Sequence, residues 1–158
     1  MAKSLILPVV VLSFLALGSS RHVNFADCGS LAKINFVDVS PCVMEPCELK
    51  KGTNESIEIQ FIPNSNITEG KTVVYGIIEG VQVPFPVDNP EVCKEHGITC
   101  PMPAEKTQTF KATLPVKSEY PALQLDVKWE LHDQDAKVVY CWLLPVKIVS
   151  GQDDFVEM

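Results

Sequence analysis

The sequence predicts an all-β chain folded as a two-sheet sandwich. Three observations carry that expectation. Leu123, Leu125, Val127, Trp129 and Leu131 alternate with Gln124, Asp126, Lys128 and Glu130, the period of two that gives a strand one dry and one wet face. About seven or eight short apolar segments of this kind follow one another between Gly, Pro, Asn and Asp turns, with no helical period among them. The first and last of these segments each carry a cysteine, Cys28 and Cys141, so one bridge can tie the two ends of the fold together.

Along the chain, residues 1–20 read as a secretory signal peptide. Met1-Ala2-Lys3 precedes a run from Leu5 to Leu17 in which Ser13 is the polar residue, and Gly18-Ser19-Ser20 supply small residues for cleavage before Arg21, with a cut after Gly18 as the alternative. The run is too short to span a bilayer. Roughly 138 residues remain, enough for one domain with its own core over 21–150, followed by an acidic tail at 151–158. Val23–Val39 holds one or two strands around Cys28-Gly29, stopped by Ser40-Pro41. Lys50-Lys51-Gly52 is a turn. Ile57, Ile59 and Phe61 alternate with Glu58 and Gln60, and Pro63–Asn66 ends that strand.

Thr72–Ile78 is a strand interrupted by Gly76. Val81–Val87 is unusual: Pro84 and Pro86 exclude a central strand, yet Phe85 and three valines make it apolar. Two readings stay open, an exposed apolar binding loop or a proline-rich edge strand packed over the core. Thr107–Leu114 alternates again. Pro115 and Pro121 then bracket a rim loop carrying Val116 and Tyr120, which feeds the strand from Leu123. His132–Asp135 is a hairpin turn, and Val138–Val149 is a long apolar strand in which Pro145 suggests an edge or a bulge.

All six cysteines follow the leader, and an even number in a secreted chain implies disulfides. Cys42 and Cys47 bracket one short loop and Cys93 and Cys100 another, which leaves Cys28 for Cys141. The rival for the second loop is a metal site of Cys93, His96 and Cys100. Asn54-Glu55-Ser56 and Asn66-Ile67-Thr68 are glycosylation sequons beside turns. The formal charge of −7 argues against nucleic acid. A pI near 4.9 means that in an acidic compartment this charge fades, and approach to anionic membranes is less opposed.

No nucleophile motif, phosphate loop or cofactor fingerprint appears, and Asp126 fits a solvated strand face better than an acid–base role. What the chain has in surplus is apolar and aromatic: Phe85, Tyr120, Trp129 and Trp142 among branched aliphatics. Sheets that do not close fully over such residues leave room for a lipid.

Asp27-Cys28-Gly29-Ser30, Val39-Ser40-Pro41-Cys42, Glu45-Pro46-Cys47, Val83-Pro84-Phe85-Pro86, Leu114-Pro115-Val116-Lys117-Ser118-Glu119-Tyr120-Pro121 and Cys141-Trp142 together resemble the ML lipid-recognition domain family, specifically its sterol carriers. The resemblance covers essentially all of 21–150. It implies an immunoglobulin-like β-sandwich that is not an enzyme and uses no cofactor or metal. Its ligand would be unesterified cholesterol or a related sterol, bound between the sheets in the lysosome lumen after secretion. The monomer would pass that sterol to a large Niemann–Pick type C lysosomal membrane transporter and exchange it with anionic membranes. By position, Phe85, Val116 and Tyr120 would form the pocket mouth. Val39, Ile57, Val83, Leu114, Pro115, Leu125, Val127, Trp129 and Trp142 would form its walls. The implied disulfides are the same three pairs. Family relatives that present acyl lipids to receptors supply the alternative function. Glu79, Gln82 and the acidic tail depart from the family pattern.

Overall fold

The computed structural model describes residues 21–151; the leader expected over 1–20 and residues 152–158 of the acidic tail lie outside the described residues. The described chain forms ten strands: β1 (Arg21–His22), β2 (Ala26–Asp27), β3 (Lys33–Ser40), β4 (Cys47–Lys50), β5 (Asn54–Ile62), β6 (Gly70–Ile78), β7 (Val81–Phe85), β8 (Gln108–Pro115), β9 (Gln124–Asp133) and β10 (Val138–Val149). They build two sheets, one ordered β1-β3-β5-β8 and one β2-β10-β9-β6-β7, with β4 joining the second alongside β10. The fold is thus an all-β two-sheet sandwich with three disulfides.

The alternation in the sequence sets which faces meet. In β5 the buried positions are Glu55, Ile57, Ile59 and Phe61, one face of a pleated strand. Phe61, Phe110, Leu131 and Tyr140 close one part of the sandwich, all nearly or fully buried, with Phe61 and Tyr140 edge to face at 5.0 Å. Cys28–Cys141 ties the chain across 113 residues, and Cys42–Cys47 and Cys93–Cys100 close the two small loops. The thiols proposed for a metal site are therefore joined to each other. His96 is buried, and its ring nitrogens lie 2.8 Å from the carbonyls of Asn89 and Lys111.

One turn and one proline differ in detail from expectation. The β9–β10 turn falls two residues later than His132–Asp135, because β9 runs through Asp133. The Asp133 carboxylate accepts from the Asp135 and Lys137 amides, both at 2.9 Å, and so stabilises the bend itself. Glu79 and Gly80 join β6 to β7 with φ of 50° and 78°, the left-handed pair that matches strand twist in a two-residue hairpin. Pro145 is not on an edge strand. β10 is flanked on one side by β9 and on the other by β2, through Trp142 and Leu143, and then by β4 from Val146 onward. Pro145 occupies the break between β2 and β4, where the missing N–H leaves no ladder bond unmade.

Candidate functional site

The cavity lies between the sheets, lined by aliphatic side chains together with Trp129, Trp142, Phe85 and Tyr120. Its floor comes from cross-strand rows of the larger sheet: Trp129 opposite Trp142, Val127 opposite Leu144 and Leu125 opposite Val146. Residues directly opposite in an antiparallel pair share a face, so these rows form one continuous apolar surface. The two indoles stack at 5.6 Å with 7° between their planes. β6 adds Val74 and Gly76, the latter opposite Val127. A Cβ at Gly76 would meet Leu125 Cδ1 at 3.0 Å, so the glycine leaves the floor its depth there.

The roof comes from the smaller sheet. Val39 of β3 pairs with Ile57 of β5, and Glu55 pairs with Leu114 of β8. Pro115 and Val116 continue the wall, with Val116 almost fully buried. The rim loop is fastened back on the turn before β5: the Val116 amide donates to the Thr53 carbonyl at 2.8 Å, and the Gly52 amide donates to the Val116 carbonyl at 2.7 Å. Phe85, at the end of the edge strand β7, meets Tyr120 of the rim loop edge to face at 5.4 Å. Burial holds the Tyr120 phenol above its ordinary value.

Of the twelve wall and mouth residues expected from the sequence, eleven line this cavity: Phe85, Val116, Tyr120, Val39, Ile57, Leu114, Pro115, Leu125, Val127, Trp129 and Trp142. Val83 does not, which corrects its expected place in the wall. Val83 pairs with Gly76 and so shares the inner face with Phe85, but it is 44% exposed because no strand of the smaller sheet reaches over it. Val81, on the same face, is 62% exposed. The Val81–Val87 segment is therefore an edge strand as far as Phe85, with Val81 and Val83 uncovered, while Val87 beyond it packs against the core. Both sequon asparagines, Asn54 and Asn66, are exposed.

The cavity volume is about 90 Å³. That admits small molecules, but it falls well below the roughly 300–1,000 Å³ of sites that enclose a drug-sized ligand. A rigid lipid enters only if the sheets or the Phe85–Tyr120 contact give way.

Several lining residues were not expected from the sequence: Leu49, Leu144, Val146 and Ile148, and above all Glu55. Glu55 is 3% exposed, and neither of its carboxylate oxygens has a hydrogen-bond partner among the described residues. Burial pushes its pKa up to about 7. Its signal in the sequence was its phase, two residues before Ile57 on the inward face of β5.

Comparison with known proteins places these features in a family. The model of the ML domain matches residues 22–148. The protein named NPC intracellular cholesterol transporter 2 from Danio rerio is 42% identical over 146 residues, covering 92% of this chain and 97% of the relative. Its namesake from Mus musculus is 39% identical over 143 residues, covering 90% and 95%. The crystal structure of a Niemann-Pick type C2 protein from the Japanese carpenter ant superposes with a TM-score of 0.77 at 29% identity, covering 80% of this chain and all of that one.

Proposed function

The chain belongs to the ML-domain family of non-catalytic lipid carriers, and on that premise we propose that it carries unesterified cholesterol or a closely related sterol. The sterol would lie between the two sheets of an immunoglobulin-like sandwich, with Phe85, Val116 and Tyr120 at the mouth. The observation that carries this reading is the inter-sheet cavity, whose walls are apolar apart from Glu55 and whose mouth is an edge-to-face aromatic pair. The similarity to proteins named for cholesterol transport supports the choice of sterol.

In this reading the chain is a secreted monomer. Its leader is cleaved after residue 20, its domain spans 21–150, and it works in the lysosome lumen. There it hands its sterol to a large Niemann–Pick type C membrane transporter and exchanges it with anionic membranes. Glycans at Asn54 and Asn66 fit its passage through the secretory route. The energetics are adequate: hiding roughly 400 Å² of apolar ligand surface gains on the order of 10 kcal/mol gross, from which association and the separation of the sheets subtract.

The test is saturable binding of a labelled sterol to the mature, disulfide-intact protein, with fatty acid and glycolipid as competitors. One-to-one sterol binding that a Phe85→Ala substitution weakens by about tenfold or more supports the carrier reading and its mouth. Displacement by acyl lipids, with no sterol bound, replaces the sterol by an acyl ligand.

A further inference from the structure

Glu55 is a carboxylic acid where packing alone calls for an aliphatic residue. The pleat that turns Ile57, Ile59 and Phe61 inward turns Glu55 inward as well. It is 3% exposed, and both oxygens are without a hydrogen-bond partner among the described residues. The lining contributed by the elements packed around it is apolar: Val39 from β3, Leu49 from β4, Leu114 from β8, Val116 from the rim loop, and Val146 and Ile148 from β10. Among the described residues, no lysine or arginine lines the cavity. The other titratable residues of the lining are Tyr120 and Tyr75; Tyr75 takes the outer ladder position opposite Lys128, whose Nζ lies 5.7 Å from its ring centroid. A buried polar group with no partner is destabilising, and a ligand that meets it gains what solvent no longer supplies.

We propose that Glu55 receives the one polar group of the bound lipid: the cavity takes an otherwise apolar molecule carrying a single hydroxyl, and that hydroxyl hydrogen-bonds the Glu55 carboxyl between the sheets. The proposal rests on the lipid-carrier reading and narrows its ligand class. A neutral carboxyl offers one O–H donor and a carbonyl acceptor, and a hydroxyl is both acceptor and donor, so the two satisfy each other reciprocally. A pure hydrocarbon leaves the carboxyl unmet. Below about pH 7 burial keeps Glu55 protonated and this pairing is available. Above it, ligand entry must strip water from a carboxylate facing an apolar wall, and affinity falls.

The experiment compares matched ligands that differ only in the hydroxyl: cholesterol against the same sterol without its hydroxyl, and hexadecanol against hexadecane. Each is measured on wild-type protein, Glu55→Leu and Glu55→Gln, at about pH 5 and about pH 8.5, with near-UV circular dichroism to establish folding. Wild type at the lower pH is expected to prefer the hydroxylated partner by about tenfold or more. Glu55→Leu is expected to bind both members alike, and Glu55→Gln to keep a preference that no longer changes with pH. Equal wild-type binding of both members of a pair, or an undiminished preference in folded Glu55→Leu, overturns the role of Glu55 while leaving the carrier reading standing. Discrimination within the hexadecanol pair, with neither sterol bound, keeps Glu55 and removes the sterol. Binding of neither pair removes the carrier reading and this proposal with it.

Discussion

Replacing Glu55 by Gln changes how stability depends on pH, and the size of the effect follows from where the side chain sits. Unfolded, the carboxyl titrates near its ordinary value of 4.5; folded, burial raises it to about 7. Between those values the folded chain holds a proton that the unfolded chain has released. Stability therefore falls as pH rises through this window. The contribution is fully present below about 4.5 and gone above about 7. The gap corresponds to roughly 3 kcal/mol. Glu55 lies at the start of β5, one residue after Asn54 and close to the turn at Gly52-Thr53, so relaxation toward water brings the expected figure to roughly 2–3 kcal/mol. Gln keeps the shape and does not titrate. Urea unfolding with disulfides intact, at about pH 5 and about pH 8, reads the difference directly. Relative to wild type, Glu55→Gln is expected to gain roughly 2–3 kcal/mol on going from the lower to the higher pH. A difference between the two proteins that stays constant across that range refutes the burial of the charge, whatever the wild-type profile does by itself.

Three further outcomes follow from the geometry. Gly76→Val places a side chain on the cavity floor against Leu125 Cδ1, which a Cβ already approaches to 3.0 Å; lipid affinity should drop at least about tenfold, while thermal unfolding shows whether the fold tolerates the crowding. Replacing Cys28 and Cys141 by Ser opens a link spanning 113 residues and should cost roughly 4–5 kcal/mol in chemical denaturation; an unchanged midpoint would mean the sandwich ends hold together without it. Transfer of a fluorescent sterol to anionic vesicles should be faster near pH 5 than near pH 7, because the formal charge of −7 fades toward the pI of about 4.9; equal rates at low salt remove that electrostatic account.

How far the sequence reveals this molecule depends on whether a residue's face can be read locally. Where one face is wet, it can. Ile57, Ile59 and Phe61 on β5, and Leu125, Val127 and Trp129 on β9, alternate with polar residues, and all of them turn inward. β10 is different. Val139, Tyr140, Cys141 and Trp142 are consecutive and all buried, because the strand has neighbours on both edges and a register shift near its start. With both phases apolar, nothing local says that Leu144, Val146 and Ile148 face the cavity; their pairing with β9 decides it. Leu49 needs still more, since β4 is four residues long and finds its place only by running parallel to β10.

Val83 and Glu55 fail in opposite directions, and together they show what the alternation rule leaves out. Val83 has the right phase and the right chemistry, but the smaller sheet ends at β8 and does not cover it. Its exposure is set by the relative width of two sheets, a property of the whole fold. Glu55 has the right phase and the wrong chemistry: a charged residue inside a sequon reads as surface until its parity with Ile57 is counted. Polarity and phase ordinarily agree because burying a carboxyl without a partner is destabilising. A residue at which they disagree, on the wall of an apolar cavity, is where a ligand's polar group has something to gain that packing alone does not provide.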